Sequence, residues 1–249
     1  MKKIFLPVIA FLLLHFLSIP AIEPGTPELF YYGHSCFMLI STKFVKIVMD
    51  PHSKLKYPLP EKEADIISIS HEHFDHSNAE GIKGKPTVLR GLKSDGSWNH
   101  INTTVKGVHI FNIGTYHDDK KGTERGLNSI FVFDLDGKRF VHLGDLGHLL
   151  SRDIIEKLGK VDVLMLPVGG YYTIDAVQAA QIAREVNSKV VIPMHYQTEI
   201  TKELPIKPLN LFLENSKDVF VRFMQGNGTP FIYMPAKQEI WVLKYPHAH

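Results

Sequence analysis

The stretch SISHEHFDHSN, Ser68 to Asn78, places His71, His73, Asp75 and His76 within six residues. Histidine is costly to bury unpaired and is not among the residues that favour turns. So dense a cluster either holds metal or forms a solvated loop. It follows DIISIS (65–70), a short apolar run with the pattern of a buried strand. In His-x-His, His71 and His73 alternate out of an extended segment onto one side and can grip one ion. Asp75 and His76 lie a turn further on and face a second position. The zincin pattern H-E-x-x-H begins the same way. Here, however, its fifth residue is Asp75, and the segment follows a strand rather than lying on a helix. Glu72 and Phe74 then serve as spacers.

Further polar residues recur at strand ends. Asp50 follows VKIVM (45–49), Asp145 closes FVHLGD and His195 closes VVIPMH. Ligand sites of α/β folds gather at such ends, along one sheet edge. Asp145 can bridge two ions, and His195 can complete the second. The first ion needs a third histidine, from His100, His109, His117 or His142. His117 is preferred, because it sits in a polar, glycine-containing loop after a strand. His142, three residues before Asp145, is the alternative and can also line the site from behind. Asp50 suits hydrogen bonding that fixes the histidine cluster. His34, in YYGHS, and His148 either touch substrate or make structural hydrogen bonds. Tyr171, Tyr172, Thr173 and Asp175 either line the mouth or turn the chain and cap a helix.

Composition narrows the function class. The 249 residues are 44% hydrophobic and 22% charged, an ordinary globular balance. A net charge of +2 without a long basic run argues against nucleic-acid binding. The single cysteine, Cys36, rules out an intrachain disulfide and reads as a core residue. There is no phosphate loop and no G-x-S-x-G motif. At the start, MKKIFLPVIAFLLLHFLSIPA (1–21) combines Lys2 and Lys3 with an apolar run to Ile19, the pattern of a secretory signal peptide. The expectation is an exported protein. Left uncleaved, the same segment provides membrane association. Nothing in the sequence speaks to oligomeric state.

After residue 28 the chain alternates strand-length apolar runs with loops. CFMLI (36–40) and VKIVM read as a hairpin. VKGVHIFNI (105–113) reads as one strand, and 129–145 as a hairpin turned at Asp136-Gly137. The second half changes rhythm. A short helix over 151–159 is capped by Ser151 and ended by Gly159, and a buried strand spans 161–170. A helix over 174–186 and a strand over 189–196 follow, which makes parallel β-α-β units. A mostly antiparallel first half followed by β-α-β predicts a layered α/β fold.

These residues together resemble the metallo-β-lactamase fold superfamily. SHEHFDH matches its H-x-H-x-D-H signature after a strand, Asp50 its first aspartate, and His117, Asp145 and His195 its later ligand positions in order. The resemblance covers roughly residues 29–245. Within it, GHSCFMLI, HLGDLGH, LPVGGYYTID and VVIPMHY are similar to the branch of ascorbate-6-phosphate lactonase-like Zn-dependent hydrolases. The resemblance implies a four-layer αβ/βα sandwich with two divalent ions, Zn foremost and Mn or Fe as alternatives. It implies His71, His73 and His117 on one ion, Asp75, His76 and His195 on the other, and Asp145 between them. The expected activity is hydrolysis of an ester, lactone or phosphodiester in a small-molecule substrate, by hydroxide formed between the ions, with Asp75 orienting the nucleophile or accepting its proton. The alternatives are a lipid phosphodiesterase similar to N-acylphosphatidylethanolamine phospholipase D, and a non-catalytic metal-binding protein on the same fold.

Overall fold

A computed structural model of the chain describes residues 25–231 and 233–246. The expected signal peptide lies outside the described residues. Fourteen strands form two sheets among the described residues. The first sheet has six strands in the order β13-β1-β2-β3-β4-β5. Its members are β1 (Glu28–Tyr31), β2 (Phe37–Ile40), β3 (Lys46–Met49), β4 (Ala64–Ile69), β5 (Gly84–Arg90) and β13 (Gly228–Pro230). The second has eight, in the order β12-β14-β11-β10-β9-β8-β7-β6. These are β6 (Asn102–Val105), β7 (Val108–Tyr116), β8 (Leu127–Leu135), β9 (Lys138–His142), β10 (Val163–Pro167), β11 (Val190–Met194), β12 (Phe220–Phe223) and β14 (Glu239–Val242).

Strand periodicity builds the layers. On the first sheet Leu29, Tyr31, Phe37, Leu39, Ile47, Met49 and Ile66 face the large core shared with the second sheet. Cys36, Met38, Ile40, Val48, Ile67 and Ile69 face a smaller outer cluster. Alternate side chains of a strand point to opposite faces, so these strands are apolar on both. Each fully buried Leu, Ile or Phe contributes about 1.5–3 kcal/mol. On the second sheet, α1 (Arg152–Leu158) and α2 (Ala176–Val186) supply helical cover, and α2 packs against β10 and α3 (Asn210–Glu214). Ser151 caps α1 and Gly159 ends it with φ 63°. Asp175 caps α2 in a reciprocal capping box with Gln178. Over the first sheet the helical layer is thin: among the described residues it is a 3₁₀ turn, Ala79–Gly81, beside the irregular stretch 50–63.

Two expectations are corrected. The run 105–113 is not one strand. Lys106 and Gly107 both have positive φ (50° and 82°) and form a two-residue hairpin turn between β6 and β7. The first half is also less antiparallel than its spacing suggests, since β3, β4 and β5 run parallel. The β3–β4 crossover is the stretch 50–63 rather than a helix, and its prolines Pro51, Pro58 and Pro60 disfavour helical backbone.

This topology decides where the polar residues go. Parallel β3 and β4 end on the same edge, which delivers Asp50 and His71 side by side. Parallel β9, β10 and β11 deliver Asp145 and His195 to one edge of the second sheet. β7 is separated from β9 by two antiparallel steps, so it ends at that edge too and presents His117.

Candidate metal centre

Asp145 Oδ2 is the centre of convergence. His76 Nε2 and His117 Nε2 both lie 3.2 Å from it, His195 Nε2 3.3 Å and His71 Nε2 3.9 Å. All five residues are buried. Three candidate ligand groups meet here: His71 with His73 and His117, His34 with Asp75, His76 and His195, and Asp50 with His71 and His76. His71 Nε2 and His73 Nδ1 are 3.0 Å apart. The structure therefore brings together all seven residues expected to hold metal. It leaves His100 and His109 outside, the latter bonded to Asp134 and Asn102.

The partners behind the rings set the tautomers. His117 Nδ1 meets the carbonyl of Tyr172 at 3.1 Å, and a carbonyl only accepts, so Nδ1 carries the proton. His76 Nδ1 donates to Asp50 Oδ2 at 2.9 Å. Ser70 Oγ donates to the same Asp50 oxygen at 2.5 Å, so it accepts from His71 Nδ1 at 2.9 Å. In each ring the proton is held at Nδ1, and Nε2 turns toward Asp145. Asp50 itself has φ 43° and also takes the Ser70 N–H at 2.8 Å.

This arrangement fits a cation. Bare imidazole nitrogens and a carboxylate oxygen all present lone pairs to one small space. His76 Nε2 and Asp145 Oδ1 are buried there without a hydrogen-bond partner. Such orphans are rare in native proteins unless something else satisfies them. The carboxylates of this space draw positive charge to it. Burial lowers the pKa of His76, yet the facing Asp145 carboxylate and the Asp50 bond outweigh it and raise it well above the usual histidine value. Burial together with neighbouring histidines holds His71 well below that value, so its ring stays neutral. Burial raises the carboxyl of Asp145, but His195 and His76 outweigh it and keep it ionised.

The remaining residues sort by geometry. His34 Nε2 lies 3.0 Å from Asp75 Oδ2. His142 spends both nitrogens on backbone, Nε2 on the Ser35 carbonyl at 2.9 Å and Nδ1 on the Gly144 N–H at 3.2 Å. It stands behind the site, 3.9 Å from Asp50. His148 is not brought to the cavity: its Nε2 accepts from the Tyr116 N–H at 3.2 Å and its Nδ1 faces the Leu149 carbonyl. Glu72 leaves the site to pair with Arg90. Phe74 is more than a spacer, since it lines the cavity with half its surface exposed.

That cavity, about 360 Å³, is lined by His34, His73, Asp75, Arg125, Tyr172 and Leu204 among others. Arg125 lies with its guanidinium 6.0 Å from the ring centre of Tyr171 and 3.3 Å from Glu124. Asp118 organises its loop by accepting the backbone N–H groups of Lys120, Gly122, Glu124 and Arg125 at 2.8–2.9 Å. Sequence reasoning missed Ser70, Asn128, Asp118 and Arg125. Ser70 stood inside the quoted motif. Asn128 holds the Asp145 N–H at 3.0 Å from the start of β8, with no local signal.

Comparison with known proteins gives the chain's family. A family model described as a β-lactamase superfamily domain matches residues 28–195. The UPF0173 metal-dependent hydrolase of Methanoregula boonei is 29% identical over 232 residues, covering 84% of this chain and 100% of its own. That of Methanoculleus marisnigri is 32% identical over 190 residues, covering 69% and 81%. A crystal structure from Thermotoga maritima, assigned as a candidate Zn-dependent hydrolase of the metallo-β-lactamase superfamily, superposes with TM-score 0.72 at 33% identity, covering 88% of this chain and 100% of that one. A metallo hydrolase from Ignicoccus hospitalis shares the fold, at TM-score 0.61 and 24% identity. On the family match and these relatives, the chain belongs to the β-lactamase superfamily.

Proposed function

We propose that this chain is a metal-dependent hydrolase acting on an ester, lactone or phosphodiester bond of a small-molecule substrate at a two-ion centre. The observation that carries this reading is the convergence of four imidazole Nε2 atoms within 3.9 Å of one buried carboxylate oxygen. The relatives bearing the name metal-dependent hydrolase point the same way. His71, His73 and His117 would hold one ion, and Asp75, His76 and His195 the other, with Asp145 between. Zn suits this imidazole and carboxylate set, and Mn or Fe share its chemistry. Bound ions of this kind supply Lewis acidity and a nucleophile at neutral pH.

The chain's own residues do the rest. Burial raises the carboxyl of Asp75, but the hydrogen bond from His34 and the nearby His76 outweigh it, so it stays ionised at the cavity wall. It can orient the nucleophile or accept its proton. Asp50, directly and through Ser70, fixes the rings of His76 and His71. At the mouth, Arg125 beside Phe74, Tyr172 and Leu204 suits a substrate with an anionic group on an apolar body. The exposed rings of Phe74 and Tyr171, with the apolar N-terminal run, favour a lipid phosphodiester as the second reading. Under either reading residues 29–245 act as one domain and the N-terminal segment serves export or anchoring.

The test is metal analysis of the purified protein coupled to assays on lactones, phosphodiesters and β-lactams, with acylated phosphodiesters in detergent as a separate arm. His73→Ala should lose metal and turnover together. Full turnover by a metal-free His73→Ala protein overturns the reading, and a loaded protein inactive on every substrate favours a non-catalytic metal protein.

A further inference from the structure

Resting on that ligand assignment, we propose that His34 is the positioning residue of the second ion's ligand set. It touches all three residues assigned to that ion. Its Nε2 is 3.0 Å from Asp75 Oδ2. Its ring lies 4.0 Å, centre to centre, from that of His195, and 5.3 Å from that of His76. Its carbonyl accepts the His195 N–H at 2.8 Å. One buried side chain thus ties together residues from the loop after β4 and the end of β11, which belong to different sheets.

The backbone is bent to put it there. Gly33 and His34 are consecutive left-handed residues, at φ 89° and 53°. A Cβ on Gly33 would come within 2.3 Å of the Tyr57 ring. A β-carbon makes this conformation unfavourable for histidine, so it persists only where the surroundings enforce it. They do so here through the Tyr31 hydroxyl, which donates to the His34 carbonyl at 3.0 Å, and through the His195 N–H on the same oxygen.

The direction of the bond follows from its acceptor. A carboxylate oxygen only accepts, so in the 3.0 Å contact with Asp75 the imidazole N–H is the donor. The shared proton therefore sits on His34 Nε2. This donation holds the Asp75 carboxylate in one orientation. Carboxylate ligands of metals are ordered by such outer partners. His34 Nε2 is committed to Asp75, which makes His34 the group that aims the ligand rather than a ligand itself.

Metal titration of the full chain, stripped of metal, tests this by calorimetry and by the visible absorption of bound Co²⁺. The wild type should take two ions. His34→Ala should keep the first and bind the second about 10- to 100-fold more weakly. His34→Gln, which restores an N–H donor, should recover most of that loss. The Co²⁺ band of the second ion in His34→Gln should match the wild type, because no ligand has been removed. Should His34→Ala not fold, His34→Gln against His34→Phe (a ring without a donor) makes the same comparison. A His34→Ala or His34→Phe protein that binds both ions as tightly as the wild type overturns the proposal. So does a His34→Gln spectrum that has lost a nitrogen ligand, since His34 is then a ligand. A wild type that binds a single ion overturns the two-ion assignment itself.

Discussion

Asp50 reaches His71 through the hydroxyl of Ser70. That hydroxyl donates to Asp50 Oδ2 at 2.5 Å and is left to accept from His71 Nδ1 at 2.9 Å. The same carboxylate oxygen receives His76 Nδ1 directly. One buried aspartate thus sets the tautomer of a histidine in each candidate ion site, and neither site is ordered independently of the other.

Asp50→Ala strands the Ser70 N–H and hydroxyl and the Nδ1 proton of His76 in a buried space. It should lower stability by about 3–5 kcal/mol, as loss of one partner of a buried charged pair does. Asp50→Asn keeps the size but replaces one acceptor oxygen with a donor. It should weaken binding at both ion sites by about 10- to 100-fold. Urea unfolding and metal titration check the two effects separately, and normal affinity at either site in Asp50→Asn would refute the shared role.

Gly169 is required by a close backbone approach. A Cβ there would stand 2.2 Å from the carbonyl oxygen of His195 and 3.2 Å from the Cα of Tyr196. Backbone cannot swing aside as a side chain does, so Gly169→Ala must displace the end of β11. The expected cost is about 1–3 kcal/mol, with weaker metal binding on the His195 side. Gly25→Ala, where a Cβ meets nothing within 4 Å, is the control. Equal melting temperatures for the two variants would contradict this account.

Arg125 should read substrate charge. In the assay arm that gives turnover, Arg125→Ala should raise KM by about tenfold to a hundredfold for a substrate bearing a carboxylate or phosphate, the size of a lost charge-assisted hydrogen bond. An uncharged analogue with the same scissile bond should change less than about twofold on the same grounds. Parallel losses on both substrates would assign Arg125 to loop structure instead.

Asp134 and Arg139 face each other across β8 and β9, with Arg139 Nε and Nη2 donating at 2.7 and 2.8 Å. The Arg139 bond holds the Asp134 carboxyl below its usual range despite partial burial, with His109 adding to the effect. A depressed folded pKa stabilises above the unfolded value, and the benefit disappears as pH falls through the folded one. The pair should therefore contribute fully at neutral pH and fade below about pH 4. Asp134→Asn should cost about 1 kcal/mol at pH 7 for this partly exposed pair and progressively less as the pH falls below about 4. A stability difference from the wild type that persists unchanged at pH 2 would rule the mechanism out.

Much of the site was legible along the chain because its candidate ligands sit at strand ends with local signatures. The H-x-H-x-D-H run, the closing Asp145 and His195, and the helix caps at Ser151 and Gly159 are short-range patterns that fix residue type and spacing. The same patterns could not say that His148 turns away, because the backbone of Tyr116 and Leu149 claims its ring. Nor could they place Phe74 at the cavity rather than between ligands.

What the sequence by itself determined was the inventory: the metal-suited residues, the alternation of strands and helices, and an interior without disulfides. Only the tertiary structure decided which histidine nitrogens are bare and which atoms share a space. Those depend on Ser70, Asn128, the Tyr172 carbonyl and His34, partners that reach the site from separate strands and loops. A hydrogen bond between residues far apart in the chain leaves no periodicity to read. It exists only once β3 lies beside β4, and β11 has brought His195 to the carbonyl of His34.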